Sequence, residues 1–225
     1  MHEALAPQRV KVISYELLTE TPMTPFTYFS LRNLLGTTAL AASLLGLGGC
    51  GAMSAQNPGS VLKPVNAIEI APDARVMLKG ADVVAYFTQG AFRQGVPAYK
   101  STYQEVTFYF ASADHKTQFD QSPLAFLPQF GGYCADGVTY GIPWGGDADT
   151  WKMINGKLYI FGGQGSKDAF ELDEAKNLAL ADKYWNEEIK SSNSFVQRAK
   201  RLVIRVPHYR SGSELAAAVA AAKGK

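Results

Sequence analysis

The stretch Phe130-Gly-Gly-Tyr-Cys-Ala135, introduced by Leu127-Pro-Gln129, organises this 225-residue chain. Its two consecutive glycines allow neighbouring backbone to approach closely. Its cysteine is one of only two in the sequence. We therefore expect the folded domain to be built around this stretch.

Local patterns on both sides of it predict strands joined by tight turns. Residues 98–110 form a predicted hairpin with alternating apolar positions in its second strand. Asn155-Gly156 lies between two β-rich runs within residues 151–161, which is the signature of a hairpin with a type I′ turn. The mostly apolar residues 82–87 predict a further, buried strand.

Helix signals are found at other positions in the chain. Ser112 is a good N-cap for a helix that ends near Gln121, where Ser122-Pro123 follows. The other predicted elements are a helical turn at residues 166–172, an amphipathic helix with Leu178, Ala181, Trp185 and Ile189 on one face, a short strand at residues 202–206 and a helix at residues 214–223.

The N-terminal part predicts an export signal. Residues 34–47 form an uncharged apolar run of 14 residues, preceded by Arg32 and followed by Gly48-Gly-Cys50. This length suits a signal peptide and is short for a membrane-spanning helix. The Leu-x-Gly-Cys ending resembles a bacterial lipobox, so we predict a signal peptide at residues 1–50, with Met23 as the true start. An uncleaved anchor helix is the alternative.

A lipidated Cys50 would anchor the protein in the bacterial cell envelope, facing the periplasm, because each buried methylene of the acyl chains contributes roughly 0.8 kcal/mol. Small and polar residues at positions 51–64 predict a flexible tether. A folded domain at residues 65–185 and a basic C-terminal extension at residues 186–225 would follow it.

Charge is unevenly distributed along the predicted mature chain. Residues 51–185 carry 11 Lys/Arg and 14 Asp/Glu, a net charge of −3, whereas residues 186–225 carry 8 and 3, a net charge of +5. The basic extension is expected to contact a lipid headgroup or an envelope protein partner, or else to be a solvated helix. No nucleic-acid partner is expected, because the basic residues are not interleaved with aromatic ones and no reader motif is present.

Several motifs together resemble the YHS domain family, in its exported bacterial lipoprotein form. The resemblance covers about residues 78–161. It is carried by Gly80, Asp82-Val-Val-Ala-Tyr-Phe87, Phe108-Tyr-Phe110, Ser112, Phe119, Pro123, Pro128-Gln-Phe-Gly-Gly-Tyr-Cys-Ala135, Trp151 and Gly156-Lys-Leu-Tyr159. Ala181–Trp185 is a weaker match to the family's C-terminal helix.

The resemblance implies an α+β fold, with a small antiparallel sheet and one or two packed helices, to which this chain adds a C-terminal helical extension. It also implies a link to heavy metals, since related modules occur beside copper-handling domains. Those modules use several cysteines, and Ala111 stands here where a cysteine is frequent in the family. A multi-cysteine site is therefore not carried over.

Cys134 and His115 are the best candidate pair for a soft metal ion such as copper(I), with Met153 as a remote third ligand. A zinc site is not expected, because a structural zinc ion needs four protein ligands. The alternative for Cys134 is a buried small apolar residue. For His115 it is a capping or surface position at the start of its helix.

A pocket for a small ligand is the other binding hypothesis, with Asp82, Tyr86, Tyr133, Trp144 and Trp151 as candidate lining residues. Plain core packing is the alternative for these aromatics, although Trp144 lies in a glycine-rich loop.

We expect a non-catalytic protein that binds a soft metal ion or a small ligand. A structural or protein-interaction module is the first alternative. The second is a thiol-dependent enzyme with Cys134 as nucleophile, His115 as base and Asp82 or Asp149 as the orienting carboxylate.

Overall fold

The computed structural model describes residues 64–224. The predicted signal peptide, Cys50 and the predicted tether up to residue 63 lie outside the described residues. Within residues 64–224, no helix combines the length and the apolar character needed to cross a membrane.

A four-stranded sheet forms the first half of the domain. Its spatial order is β1-β2-β4-β3, with β1 at Ala67–Ile70, β2 at Asp73–Met77, β3 at Val96–Tyr103 and β4 at Val106–Phe110. The β1/β2 and β3/β4 pairs are antiparallel, which confirms the predicted hairpin at residues 98–110. Strands β2 and β4 are parallel, so the sheet is mixed rather than purely antiparallel. A parallel pair needs a long crossover connection, and residues 78–105 supply it.

A separate two-stranded sheet follows, with β5 at Asp147–Ile154 and β6 at Lys157–Phe161. Its turn residues Asn155 and Gly156 have φ angles of 51° and 72°. Both angles lie in the left-handed region that a type I′ turn requires. The hairpin predicted from Asn-Gly is therefore confirmed.

Helices connect the strands and follow the second sheet. In chain order they are α1 (Val83–Thr88), α2 (Ala113–Gln121), α3 (Ala135–Thr139), α4 (Gln164–Glu171), α5 (Glu174–Tyr184), α6 (Ser194–Val203) and α7 (Gly212–Lys223). Short 3₁₀ turns occupy Leu78–Gly80, Pro123–Phe126 and Gln129–Gly132, and a π-helical turn, Trp185–Ile189, continues α5. The helices predicted at residues 112–121, 166–172 and 214–223 are confirmed, and the α+β fold class is correct.

The predicted strand at residues 82–87 is wrong, because this segment is helix α1. Asp82 is its N-cap and accepts hydrogen bonds from the N–H groups of Val84 at 2.9 Å and Ala85 at 3.3 Å. Two satisfied N–H groups and burial on several sides outweigh the strand propensity of the valines and aromatics.

The predicted strand at residues 202–206 is also wrong. Leu202 and Val203 form the last turn of α6, and Ile204 is its C-cap with an extended backbone. Leu202, Val203 and Ile204 are all exposed, so no sheet or core takes up their apolar side chains.

Two hydrophobic clusters hold the domain together. In the first, Phe119 of α2 packs on Phe108 and Phe110 of β4, with ring centroids 4.6 and 5.1 Å apart. The second gathers Tyr133, Phe161, Phe170, Ala181, Ile189 and Val206. Ile189 and Val206 belong to the predicted C-terminal extension, so its first part contributes to the core.

The central stretch joins the β1 edge to the second cluster. The Asn66 N–H donates to the Gly131 carbonyl at 2.8 Å, and the Tyr133 hydroxyl donates to the Val65 carbonyl at 3.0 Å. Phe130 and Gly131 both have positive φ angles, 53° and 59°, which turn the chain sharply here. The close approach expected from the two glycines is therefore present.

Candidate ligand-binding cavity

An open cavity of about 650 Å³ lies beside Cys134, between α3, the end of α6 and helix α7. Its size falls within the usual range for small-molecule sites. Cys134 and residues that follow it in the chain line the cavity, together with residues of the predicted C-terminal extension.

Helix α7 forms the apolar wall of this cavity. The residues that face it recur at intervals of three and four: Gly212, Leu215, Ala216, Val219, Ala220 and Lys223. This spacing places them on one side of a helix. None of the residues described in α7 is buried, so its apolar side is turned toward open space rather than toward a packed core.

Helix α7 has a local cap at its start and an ion pair to the body at its end. Ser211 and Glu214 form a capping box at its start, with the Ser211 N–H donating to Glu214 Oε2 at 2.7 Å. Lys223 Nζ at its end lies 2.5 Å from Asp168 Oδ2 of α4. The capping box stabilises the start of the helix, and the Lys223–Asp168 ion pair connects its end to α4.

Cys134 lies on the opposite wall and is only 3% exposed. Its N–H donates to the Trp144 carbonyl at 2.9 Å, which ties the start of α3 to the glycine-rich loop. Burial raises the pKa of the Cys134 thiol, and the nearby Asp136 carboxyl adds to that rise. The residue therefore remains a thiol at neutral pH, since desolvation disfavours the thiolate.

Asp136 is the acidic residue of the cavity wall. Asp136 is 7% exposed, and burial raises the pKa of its carboxyl group from the ordinary value of 3.8 to about 7. At neutral pH this side chain therefore exists in both protonation states, which makes the charge of the cavity dependent on pH.

An Asp136→Asn variant should be more stable than the wild type at pH 8 and nearly equal to it at pH 4. The raised folded-state pKa means that the folded protein binds the proton of Asp136 more tightly, so the contribution of Asp136 to wild-type stability falls as pH rises from about 4 to 7. The stabilisation by asparagine at pH 8 should be about 2–4 kcal/mol, since one pKa unit corresponds to about 1.4 kcal/mol. Urea unfolding at both pH values measures it; equal pH dependence of the two proteins would disprove it.

Cationic side chains surround the mouth of the cavity. Arg201 is paired with Glu188, and Lys223 is paired with Asp168. Arg205 lies with its guanidinium 4.4 Å from the centre of the Tyr209 ring. Arg210 donates to the Glu214 carbonyl at 3.1 Å.

Two of these cations, Arg205 and Arg210, are available to bind the negative charge of a ligand. Among the residues that the structure describes, Arg205 and Arg210 form no ion pair. Hydrogen bonds from Ser211, and then the charges of Arg210 and Arg205, lower the pKa of Glu214. One carboxylate therefore faces two guanidinium groups, and the cavity mouth has an excess of positive charge.

His115 belongs to a different site. Its Nδ1 lies 2.6 Å from Oδ2 of the fully buried Asp82, and its Nε2 lies 3.4 Å from Thr88 Oγ1 and 3.3 Å from Gln89 Nε2. Asp82 also accepts a hydrogen bond from the Ala111 N–H at 2.8 Å. This pair connects the starts of α1 and α2, which is a structural role.

The structure does not bring the predicted copper ligands together. The hydrogen-bond partners of His115 are at the α1–α2 contact, whereas Cys134 faces the cavity, and Met153 packs against the first cluster. Within residues 64–224, no three His, Cys, Asp or Glu side chains are grouped so that they could hold a metal ion. Of the two carboxylates considered for His115, Asp82 is the one that contacts it.

The predicted pocket residues are also divided. Trp144 lines the cavity and is 42% exposed. Tyr86 packs edge-on against Trp151 at 5.1 Å and donates to the Ala148 carbonyl. Asp82 and Tyr133 are fully buried, and each forms a hydrogen bond with a backbone group. Core packing, the alternative for the aromatic residues, describes Tyr86, Tyr133 and Trp151, whereas Asp82 is a helix cap.

Sequence patterns could have indicated part of the cavity that was missed. Leu215, Val219 and the alanines of α7 recur at helical spacing, and the basic excess includes Arg205 and Arg210. Asp136 had no such signal, because its burial depends on elements distant in sequence.

The fold and cavity define an α+β protein with an open ligand-sized site formed partly by its C-terminal helices. No family model, curated protein or solved structure matches this chain. The resemblance to the YHS family therefore stays a prediction that rests on the motifs.

Proposed function

We propose that this protein is a non-catalytic lipoprotein of the bacterial cell envelope that binds a small organic anion in the cavity beside Cys134. The observation that carries the proposal is the apolar side of α7, which faces an open cavity of about 650 Å³. Arginine and lysine side chains also line this cavity. A ligand with an apolar body would complete the packing that α7 lacks.

The apolar body of such a ligand would contact Leu215, Val219 and the exposed Trp144. Burial of apolar surface stabilises by roughly 25 cal/mol per Å², so a body of a few carbon atoms already provides useful affinity. The anionic group would lie near Arg205 and Arg210, whose guanidinium groups can donate paired hydrogen bonds to a carboxylate or phosphate.

The buried thiol supports binding rather than catalysis. A nucleophilic cysteine has a lowered pKa and an adjacent base, whereas burial raises the pKa of Cys134. His115, the predicted base, is hydrogen-bonded to Asp82 at the α1–α2 contact. Iodoacetamide should therefore modify Cys134 more slowly than a model thiol.

The location in the proposal rests on the N-terminal sequence. The apolar run at residues 34–47 and the lipobox-like ending at Cys50 predict export and lipidation. Mass spectrometry of the mature protein would test this, since a lipidated Cys50 would be its first residue.

Copper(I) remains the second candidate ligand, because the Cys134 thiol borders an accessible cavity. A soft thiolate is a preferred copper(I) ligand, and a bound small molecule could supply a second one. Copper(I) titration against a competing chelator, with Cys134→Ser alongside, tests this candidate. Binding that survives the substitution would exclude Cys134 as a ligand.

The charge of the ligand can be tested with three probes that share one alkyl chain: decanoate, 1-decanol and decylamine. Calorimetric titration of residues 57–225 should show the tightest binding for decanoate. In an Arg205→Glu/Arg210→Glu variant, decanoate affinity should fall at least about tenfold, which corresponds to 1.4 kcal/mol.

The matched control is Lys183→Glu/Lys190→Glu, which changes the net charge equally at two lysines that do not line the cavity. It should leave decanoate affinity within about twofold. Val219→Trp should abolish binding by filling the cavity. Equal affinity for all three probes, or binding that survives Val219→Trp, would contradict the proposal.

A further inference from the structure

Helix α6 buries polar side chains and exposes apolar ones, the reverse of an ordinary surface helix. Its polar residues Ser194, Gln197 and Arg201 are buried, with exposures of 1%, 2% and 7%. Its apolar residues Phe195 and Val196 are exposed to 52% and 58%. A surface helix normally buries the apolar side, so this arrangement calls for a physical explanation.

Specific hydrogen bonds hold the polar side against the body. Gln197 Nε2 donates to the Gly141 carbonyl and to Glu188 Oε2, both at 2.9 Å. Arg201 pairs with Glu188, and its guanidinium lies 5.3 Å from the centre of the Tyr184 ring. A rotation that buried Phe195 would break all these contacts, so the apolar side is fixed outward.

The outward side forms one continuous apolar band. Leu202, Val203 and the C-cap Ile204 are 68%, 84% and 60% exposed, and they extend the band begun by Phe195 and Val196. At about 100° per residue, Phe195, Val196, Ala199, Leu202 and Val203 occupy adjacent positions around the helix. Exposure of a continuous apolar band of this size to water is unfavourable, which indicates that the band is a contact surface.

Basic residues flank this band on both sides. On the helix circumference Arg198 follows Leu202 on one edge, and Lys200 follows Val196 on the other. No acidic residue lies in α6, and the nearby Glu188 is turned inward, where it pairs with Arg201 and Lys200. The whole segment 186–225 has a net charge of +5.

An apolar band between two basic edges is the pattern of a helix that lies in a membrane interface and prefers anionic lipids. We propose that the outward side of α6, with Ile204, rests in the surface of an anionic lipid bilayer. The apolar side chains enter the boundary between headgroups and acyl chains, while the net positive charge of residues 186–225 attracts anionic headgroups.

The proposed membrane contact does not depend on ligand binding, since it rests on the burial pattern of α6 and Ile204 and on the charge of residues 186–225. It would set the orientation of the domain on the membrane. Leu202 and Arg205 also line the cavity, so the cavity mouth would open close to the lipid headgroups.

The test uses the full chain mixed with vesicles of phosphatidylcholine, with or without phosphatidylglycerol. An environment-sensitive nitrobenzoxadiazole dye is attached at Val203→Cys, and vesicle-bound protein is isolated by flotation. The chain without the added cysteine serves as the blank for Cys50 and Cys134. The matched control is Gln121→Cys, at an exposed position at the end of α2.

Dye emission at position 203 should shift to shorter wavelength, and brominated lipids should quench it, when phosphatidylglycerol is present. Position 121 should show neither effect. A Phe195→Ser/Leu202→Ser variant, which changes only exposed side chains, should reduce quenching several-fold. Emission at 203 that is unchanged by either vesicle would overturn the proposal. A blue shift that appears without vesicles and grows with protein concentration would also overturn the proposal. It would show that the apolar band binds a second copy of the chain.

Discussion

An Asp82→Ala variant should lose about 4 kcal/mol of unfolding free energy. Asp82 is fully buried and its two oxygens accept four hydrogen bonds, from the N–H groups of Val84, Ala85 and Ala111 and from His115. Each buried donor left without a partner costs about 1–3 kcal/mol, and the lost N-cap contributes about 1 kcal/mol of this. Guanidinium unfolding measured by circular dichroism gives the value.

Three further variants show whether the hydrogen bonds of Asp82 cause the loss. Asp82→Asn keeps the shape but turns an amide N–H₂ toward donors, so it should be nearly as destabilising. His115→Ala removes one of the four donors and should cost about 1–2 kcal/mol. Asp114→Ala, an exposed aspartate in α2, should cost less than about 1 kcal/mol. A loss of under 1 kcal/mol for Asp82→Ala would mean that the carboxylate is not the connection between α1 and α2.

Gly131→Ala should be about as damaging, with a loss of more than about 3 kcal/mol. A Cβ atom at this position would overlap the carbonyl oxygen of Pro64, which belongs to the backbone and has little freedom to move. The φ angle of +59° adds strain of about 1–2 kcal/mol for any residue with a side chain. Thermal and chemical unfolding of the purified variant measure the combined cost.

Gly156→Ala provides the matched control. Gly156 has a similar φ angle of +72°, but a Cβ atom there would meet open space. Its replacement should cost only the strain of about 1–2 kcal/mol. The difference between the two variants isolates the overlap with Pro64, and equal losses would show that the close approach at the central stretch is unimportant.

Strong local signals accounted for much of the fold. Asn155-Gly156 specified its hairpin because few residue pairs tolerate two left-handed positions in succession. Ser112 marked the start of α2, since its hydroxyl accepts from the His115 N–H at 3.1 Å. These signals involve residues close in sequence, which is why pattern reading detects them.

The error at residues 82–87 shows where local reasoning fails. Val83, Val84, Tyr86 and Phe87 favour a strand by propensity, and one aspartate reverses the outcome. Asp82 caps a helix here because it also meets Ala111 and His115 from a distant part of the chain. That second function is visible only after the chain has folded.

The site divides in the same way. Cys134 and Trp144 were predicted and lie in the cavity wall, whereas His115 and Cys134 were expected together and lie apart. Residue type identified groups capable of chemistry. Their distances depend on how α2, α3 and the C-terminal helices pack.

By itself, the sequence determined the α+β class, both hairpins, the helix at Ser112 and the close approach at Gly131. The export signal is a prediction from the sequence. The tertiary structure decided which polar groups are buried: Asp82 beside His115, Asp136 in the cavity, and the inward polar side of α6. Turns and caps are governed by interactions a few residues apart. Burial is governed by elements far apart in sequence, so the cavity and the exposed apolar band required the folded chain.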